Sequence, residues 1–388
     1  MSADAVTNIA AEPTRSASTG RMAGLDLARG LAVLGMFAAH VGPVQGEDGP
    51  IGLAAQFAHG RASALFALLA GVSLTLIAGR SPRVGRAGRQ AAARIALRAL
   101  ILLAVGSAMT AMHAPVDVIL AYYGLYFLLA LPLSRLPAGP LATAALGWAL
   151  LGPQLSFVLR AGLDTRDWSE PLTALDPIAH LSGGEGLVAL LLTGNYPALT
   201  WMPFVLGGMA LGRLDLTSAR LRSRLAATGA ALIGLGYGGA WLACRLVATD
   251  VDWWHGAEEG TVNTADPAGL LTAAPHSGTT FEILGSLGVA VSIVVACTTL
   301  LARRPSVGTR LPVAPVAAVG ALSLSVYVGH IVLIEALGGD DLPDSPAVLL
   351  AAFSALALAL AWMWTRRFRR GPLEAALHRA TLLARFVR

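Results

Sequence analysis

The chain has 388 residues, room for two or three soluble domains or for one large membrane bundle. Hydrophobic residues make up 55% and charged residues 13%, with a mean hydropathy of +0.65, against about 25% charge in a soluble domain; too few charges remain to cover a water-facing surface. The net charge is +5 and all 28 basic residues are Arg, but they recur as short clusters between apolar runs, which argues against nucleic acid as a partner.

A spanning helix needs roughly 20 mostly apolar residues, because in hydrocarbon the backbone is satisfied only within a helix or a closed barrel. Residues 1–20 are rich in Ala, Ser and Thr and have no apolar run, so they read as a disordered tail rather than a signal peptide. The first span is 25–41. A loop over 43–50 carries Glu47 and Asp48. The second span, 51–78, is long enough to tilt or to begin above the membrane. The densest basic stretch follows, with Arg80, Arg83, Arg86, Arg89, Arg94 and Arg98 leading into a third span over 95–112. After a turn at His113–Asp117 come a fourth span over 118–133 and a fifth over 141–159.

The loop 160–185 carries Asp164, Asp167, Glu170 and Asp176. Residues 186–192 are apolar but too few to cross, and read as re-entrant or interfacial. The sixth span is 197–211, followed by Arg213, Arg220, Arg222 and Arg224; the seventh is 225–247. A polar loop over 250–280 holds Asp252, Trp253, Trp254, His255, Glu258, Glu259, Asp266 and His276. Spans eight, nine and ten are 281–301, 313–337 and 347–364, with an acidic turn at Asp340, Asp341 and Asp344 before the last. Residues 371–388 read as a short amphipathic helix on the inner membrane surface. The expectation is an all-α, polytopic bundle over 21–370 of about ten transmembrane helices, within a range of nine to eleven.

Basic clusters follow every even-numbered span and acidic loops follow spans one, five, seven and nine. This repeated positive-inside pattern puts both termini on the cytoplasmic side. The expected location is a bacterial inner or plasma membrane, with membrane lipids as partners; pairing of two copies is left open.

Ionisable residues inside spans are expensive and point to function. Asp26 and Arg29 are three apart, on one helical face, where they offset each other's charge; an ion pair that merely anchors the helix end would look the same. His40 lies 11 residues beyond Arg29, about 16 Å at 1.5 Å per residue, which is half of a hydrocarbon core of about 30 Å. His59 and Arg61 fall near the outer mouth, close to His40. A neutral imidazole can accept a proton from a hydroxyl or amine, and an Arg beside it can steady an oxyanion or hold a phosphate. Two polar residues snorkelling to water would give the same pattern. His40, His59, His113, His180, His255 and His276 all map to the outer side, but no two are spaced i, i+4, so no metal is expected. Cys244 and Cys297 lie in apolar runs and read as small core residues.

Residues 193–203 (TGNYPALTWMP) are dense in Pro and Gly, as in a broken helix lining a cavity. In span nine, Ser323, Ser325, Tyr327 and His330 form a polar stripe toward the bundle interior, which ordinary interhelical hydrogen bonding would also explain.

The stretch LDLARGLAVLGMFAAH at 25–40 resembles the first-helix signature of the transmembrane acyltransferase superfamily, which includes sugar acyltransferases and the heparan glucosaminide N-acetyltransferase family. In the sugar acyltransferases Leu-Asp-x-x-Arg-Gly is followed by a histidine 11 residues after the arginine; Asp26, Arg29, Gly30 and His40 match. The resemblance implies that Arg29 and His40 are the pair on which acyl transfer depends. HGRASALFALLAGVSLTL at 59–76 is similar to the second helix of the glucosaminide family and of a related family of uncharacterised bacterial membrane proteins; Arg61, Phe66, Leu69 and Gly71 fit the Phe-x-x-Leu-(Phe/Ala)-Gly element that follows a basic residue in the latter. GPLEAALHRAT at 371–381 resembles the ending of that second family. The chain departs from the glucosaminide pattern at 59–63, where His59-Gly-Arg-Ala-Ser replaces the usual Trp-Asn-Gly and Asp.

The function so implied is transfer of an acyl group, acetyl foremost, from cytosolic acyl-CoA (acetyl-CoA) to a hydroxyl or amine of an extracytoplasmic saccharide or similar acceptor. Arg80, Arg83, Arg86 and Arg213 are the expected holders of the CoA phosphates. His40 or His59 would be the base, Arg61 the oxyanion partner, and Asp26 and Arg29 would flank the donor path. The rival reading is a small-molecule transporter using the same polar groups.

Overall fold

The computed structural model describes residues 13–43, 49–81, 83–112, 116–166, 168–183, 186–247, 249–254, 260–304, 306–307, 310–339 and 345–387. Glu47, Asp48, His113, Asp167, His255, Glu258, Glu259, Asp340, Asp341 and Asp344 lie outside the described residues. All described regular structure is helical: α1 (Pro13–Val41), α2 (Pro50–Ala58), α3 (Arg61–Ala78), α4 (Gly85–Thr110), α5 (Leu120–Ala130), α6 (Ala138–Asp164), α7 (Ser169–Ala174), α8 (Pro177–Ser182), α9 (Ala198–Arg213), α10 (Ala219–Ile233), α11 (Gly239–Val247), α12 (Thr280–Arg303), α13 (Val313–Ala321), α14 (Ser323–Ala336), α15 (Pro346–Arg367) and α16 (Pro372–Thr381). A π-helical turn over 234–238 joins α10 to α11, so that 219–247 runs as one long helix. The helix α1 is already formed at Pro13, inside the stretch expected as a tail.

Among the described residues seven helices are long and apolar enough to cross a membrane, and eight if α13 and α14, bent by 87° at their junction, count as one span. The two other expected spans, at 118–133 and 197–211, form the shorter helices α5 and α9. Nearly every residue of α5 is buried, as befits a helix that is apolar all round. Helices α1, α3 and α12 form the centre, whereas α15 and the long 219–247 helix keep most of their surface outward.

Where helices cross at the centre, the residue that permits it is glycine. A Cβ on Gly30 would sit 1.9 Å from the Val316 carbonyl oxygen of α13, and one on Gly320 would sit 1.7 Å from that of Asp26. The pairing of α3 with α9 repeats this, with Gly71 against Val205 and Gly208 against Leu68. In hydrocarbon no hydrophobic force drives helices together, so contact this close supplies the dispersion that does. Gly30 and Gly71 of the two sequence signatures are therefore packing residues.

The expected second span is divided. Gly60 has φ +71 and separates α2 from α3. The Arg61 guanidinium covers the freed ends, donating to the carbonyls of Gln56 (3.4 Å) and His59 (3.3 Å). The loop before α12 packs against the break at Pro275 and His276. Such a break is tolerated at membrane depth only where protein satisfies the backbone. The stretch 189–197 is likewise irregular: a π-turn ends at Gly194 and α9 starts after Pro197.

Several basic segments meet at one end of the bundle. Arg213 donates to the carbonyls of Gly79, Arg80 and Ser134, and Arg80 to that of Leu214. The C-terminal α16 docks at the foot of α14, where Glu374 Oε1 accepts from the backbone N–H groups of Leu324 (2.8 Å) and Ser325 (3.1 Å). That carboxylate satisfies orphan donors at a helix N-terminus and complements its dipole.

Candidate active site

His40 stands in the last turn of α1 and His330 in the middle of α14. The 87° bend before Ser323 turns α14 so that His330 reaches His40. His40 Nδ1 and His330 Nε2 are 2.8 Å apart, with the rings stacked at 13°. Phe37, one turn before His40, lies with its centroid 4.7 Å from His330, and Tyr327 packs edge-on at 5.2 Å. The His330 ring lies within reach of the Val326 and Tyr327 carbonyls of its own helix, though its Nδ1 meets neither at full hydrogen-bond geometry. His330 is buried, whereas His40 remains partly accessible.

His59, at the α2–α3 break, meets His276 edge-on at 5.2 Å. His276 has φ +60, unusual for a side chain of this size, and stacks on Trp201 beside Tyr196. His40 and His59 both act on it electrostatically, so four histidines share this end of the bundle. Burial, and then His59, His40 and Arg61, push His276 down to about 3, so that this loop imidazole is neutral at pH 7.

Arg61 is buried. Its Nε donates to the Tyr237 hydroxyl at 2.9 Å, and its guanidinium lies 4.4 Å from the Trp254 ring centroid and 5.1 Å from that of Tyr237. Tyr237 continues to Ser286 at 3.3 Å, and Ser286 donates to Glu282 at 2.9 Å. The other Glu282 oxygen, Oε2, is buried without a hydrogen-bond partner among the described residues.

Glu282, Tyr237 and Trp201 were not among the residues the sequence singled out as catalytic. Thr279-x-x-Glu282 has the spacing of a capping box, and Thr279 Oγ1 does accept from the Glu282 N–H at 3.1 Å. The Glu282 side chain does not return the bond; it faces Ser286 instead. Tyr237 sits in the π-turn, a feature that often marks functional sites.

Asp26 and Arg29 lie toward the basic end, paired at 2.7 Å, and Arg29 also donates to Ser73 at 3.0 Å. Arg29 and Arg98 line a cavity of about 70 Å³ that continues past Ser73 to Tyr123 and Tyr327. The expected site therefore divides into an Asp26–Arg29 group at that cavity and a His40–His59–Arg61 group about 16 Å farther along α1. Tyr327 belongs to the cavity wall and also touches His330, so it bridges the two. Arg80 and Arg213 are engaged with carbonyls in the loops, and Arg83 and Arg86 are exposed. Among the described residues no three His, Cys, Asp or Glu side chains are grouped to hold a metal ion.

Residues 21–236 match the family described as heparan-alpha-glucosaminide N-acetyltransferase, catalytic, and residues 263–384 match one described as a protein of unknown function, DUF418. The first match carries Asp26, Arg29, His40, His59 and Arg61 and ends one residue before Tyr237; the second carries His276, Glu282, His330 and Glu374. The site is thus built from both matched segments, with the His40–His330 contact joining them. No curated protein matches the chain. With more than half of its length matched, this multi-pass membrane protein belongs to the heparan-alpha-glucosaminide N-acetyltransferase catalytic family, within the transmembrane acyltransferase-like superfamily.

Proposed function

We propose that the chain transfers an acyl group, acetyl in the simplest case, from cytosolic acyl-CoA to a hydroxyl or amine of an extracytoplasmic saccharide or similar acceptor. The His40–His330 pair carries this reading. If His330 Nδ1–H faces its own helix carbonyls, its Nε2 holds the lone pair and His40 Nδ1 donates to it. That leaves His40 Nε2 as the base, held in one tautomer by its partner, as orienting groups do for histidine elsewhere.

His40 Nε2 would take the acceptor proton as the acceptor oxygen or nitrogen attacks the thioester carbonyl carbon. The carbonyl oxygen becomes an oxyanion, for which Arg61, oriented by the Tyr237 hydroxyl it donates to, would be the charged donor of the outer group. Collapse of the intermediate breaks the C–S bond, and the leaving thiolate recovers the proton from His40. The CoA phosphates would lie at the basic end, where exposed Arg83 and Arg86 are free to approach from the surface. Arg80 and Arg213 would act through the loop they fasten, and Arg29 and Arg98 would draw the pantetheine arm into their cavity. In this reading α5 and α9 are short crossings, ten spans in all, and both termini lie on the cytoplasmic side.

The test is thiol release and acyl transfer by purified protein supplied with acetyl-CoA. His40→Ala should lower turnover by about 10²- to 10⁴-fold, the usual worth of a positioned base, with folded yield retained. Wild-type turnover in both His40→Ala and His59→Ala would overturn the assignment. Solute uptake into vesicles lacking any acyl donor would favour a transporter instead.

A further inference from the structure

A second recess lies on another face of α14, between it and α15. Its volume is about 410 Å³, large against the roughly 10–15 Å³ that a single water needs. It runs from Trp364 and Ser325 near the basic end, past Gly329 and His330, to Phe353. The lining is hydrocarbon apart from a few polar atoms, most of which are already used. Ser325 Oγ is tied to Glu374 and to the Leu373 N–H, and Trp364 Nε1 donates to the Arg370 carbonyl. His330, partner of His40, is the polar side chain that gives this groove a link to the reacting group.

Two features indicate what fits there. A Cβ on Gly329 would meet nothing within 4 Å, so the middle of the groove is open space. The recess on the neighbouring face of α14 carries Arg29 and Arg98, and the two recesses approach each other at Tyr327 and His330. One side thus suits an anionic portion and the other an apolar chain, and they meet at Tyr327 and His330, the partner of His40. An acyl-CoA with a hydrocarbon tail has that division of charge; a neutral boundary lipid does not.

We propose that the α14–α15 groove receives the hydrocarbon chain of the acyl donor, so that the protein uses acyl groups longer than acetyl. This rests on the acyl-CoA reading above. The groove lies along the bundle's flank, where Leu356 and Leu360 are exposed to the bilayer, so a chain can enter sideways without crossing the aromatic and histidine cluster.

Thiol release would be measured in phosphatidylethanolamine–phosphatidylglycerol nanodiscs with acetyl-, octanoyl- and palmitoyl-CoA. Wild type should use octanoyl-CoA at least as well as acetyl-CoA. Gly329→Leu, which fills the groove, should lower the octanoyl-to-acetyl ratio of kcat/KM by about tenfold or more, the scale on which a pocket discriminates by methylenes. Should that variant not fold, Ala357→Leu fills the same space from the other wall. An octanoyl-CoA bearing a diazirine at its tail should label residues between 353 and 364 and be competed by palmitoyl-CoA. Use of acetyl-CoA alone, or an unaltered ratio in the filled variants, overturns the groove proposal and leaves the acyltransferase reading standing. Labelling without competition would mean a boundary lipid only, and cross-links between copies through α15 would mean an interface; either overturns it. No thiol release from any donor overturns both.

Discussion

His40 and His330 are 290 residues apart in the chain and share a hydrogen bond of 2.8 Å. Each lies in a different matched segment, so neither segment holds the pair alone. If His330 sets the tautomer of His40, removing it should impair chemistry more than binding. His330→Ala is expected to lower kcat by about 10- to 100-fold, the range for losing a group that orients a functional histidine, with KM nearly unaltered. His330→Gln, whose amide oxygen can still accept from His40, should recover part of that loss. Equal kcat in the two variants would assign His330 to packing.

Arg61 makes contacts that lysine cannot reproduce. Its fork serves the Tyr237 hydroxyl and two carbonyls at the α2–α3 break while its plane lies over Trp254. An ammonium offers point charge without the planar fork. Arg61→Lys should therefore lose turnover and thermal stability together, by roughly 1–3 kcal/mol for buried groups left unpaired. Acetyl-CoA turnover and a melting curve on the same preparation check this; wild-type values for both would reduce Arg61 to a snorkelling surface residue.

The glycine crossings give a sharper contrast. Gly30→Ala forces a Cβ to 1.9 Å from the Val316 carbonyl, whereas Gly234→Ala places one in open space on an outward helix. The first should cost about 1–3 kcal/mol or more through overpacking. The second should be neutral or stabilising, because alanine favours helix over glycine by about 1 kcal/mol. Folded yield by fluorescence-detected size exclusion orders the two variants; the reverse order would refute the α1–α13 crossing.

Glu374→Ala removes the acceptor of two backbone N–H groups at the start of α14. Helix caps are worth about 0.5–2 kcal/mol, and a melting temperature lowered accordingly is expected. Because α14 also carries His330, turnover should fall as well. Glu374→Gln keeps an acceptor oxygen and should lie between wild type and Glu374→Ala.

Local chemistry was legible where partners are close in sequence. Asp26 and Arg29, three apart on a helix, do form an ion pair, and of the polar stripe Ser323, Ser325, Tyr327 and His330 the last two are buried while the serines are half-buried. What stayed hidden depends on distant contacts. Nothing near His330 in the sequence announces His40, and Glu282 looks like half of a capping box until its side chain is seen to face Ser286. Helix length was equally hard to read. The apolar run at 118–133 resembles a crossing in composition, but its helix is cut short by a 3-10 turn at Pro132, and the run at 197–211 forms a helix of only 16 residues that begins after Pro197. The divided second span turns on one glycine with positive φ, whose demand comes from a loop more than 200 residues later.

That loop carries a pH dependence with a definite sign. His276, held at about 3 in the folded protein by burial and by His59, His40 and Arg61, has an ordinary value of 6.5 when unfolded. Between those values the unfolded chain binds the extra proton. Its contribution to stability is complete above about 6.5 and is lost as the pH falls toward 3, by at most about 1.4 kcal/mol per pH unit. Melting temperature in detergent should therefore decline between pH 7 and pH 4. His276→Asn keeps a residue that tolerates positive φ but does not titrate, so the decline should be shallower in this variant. The difference between the two slopes isolates His276 from the other histidines of the cluster. Parallel slopes would mean that its imidazole is solvated, not packed against Trp201.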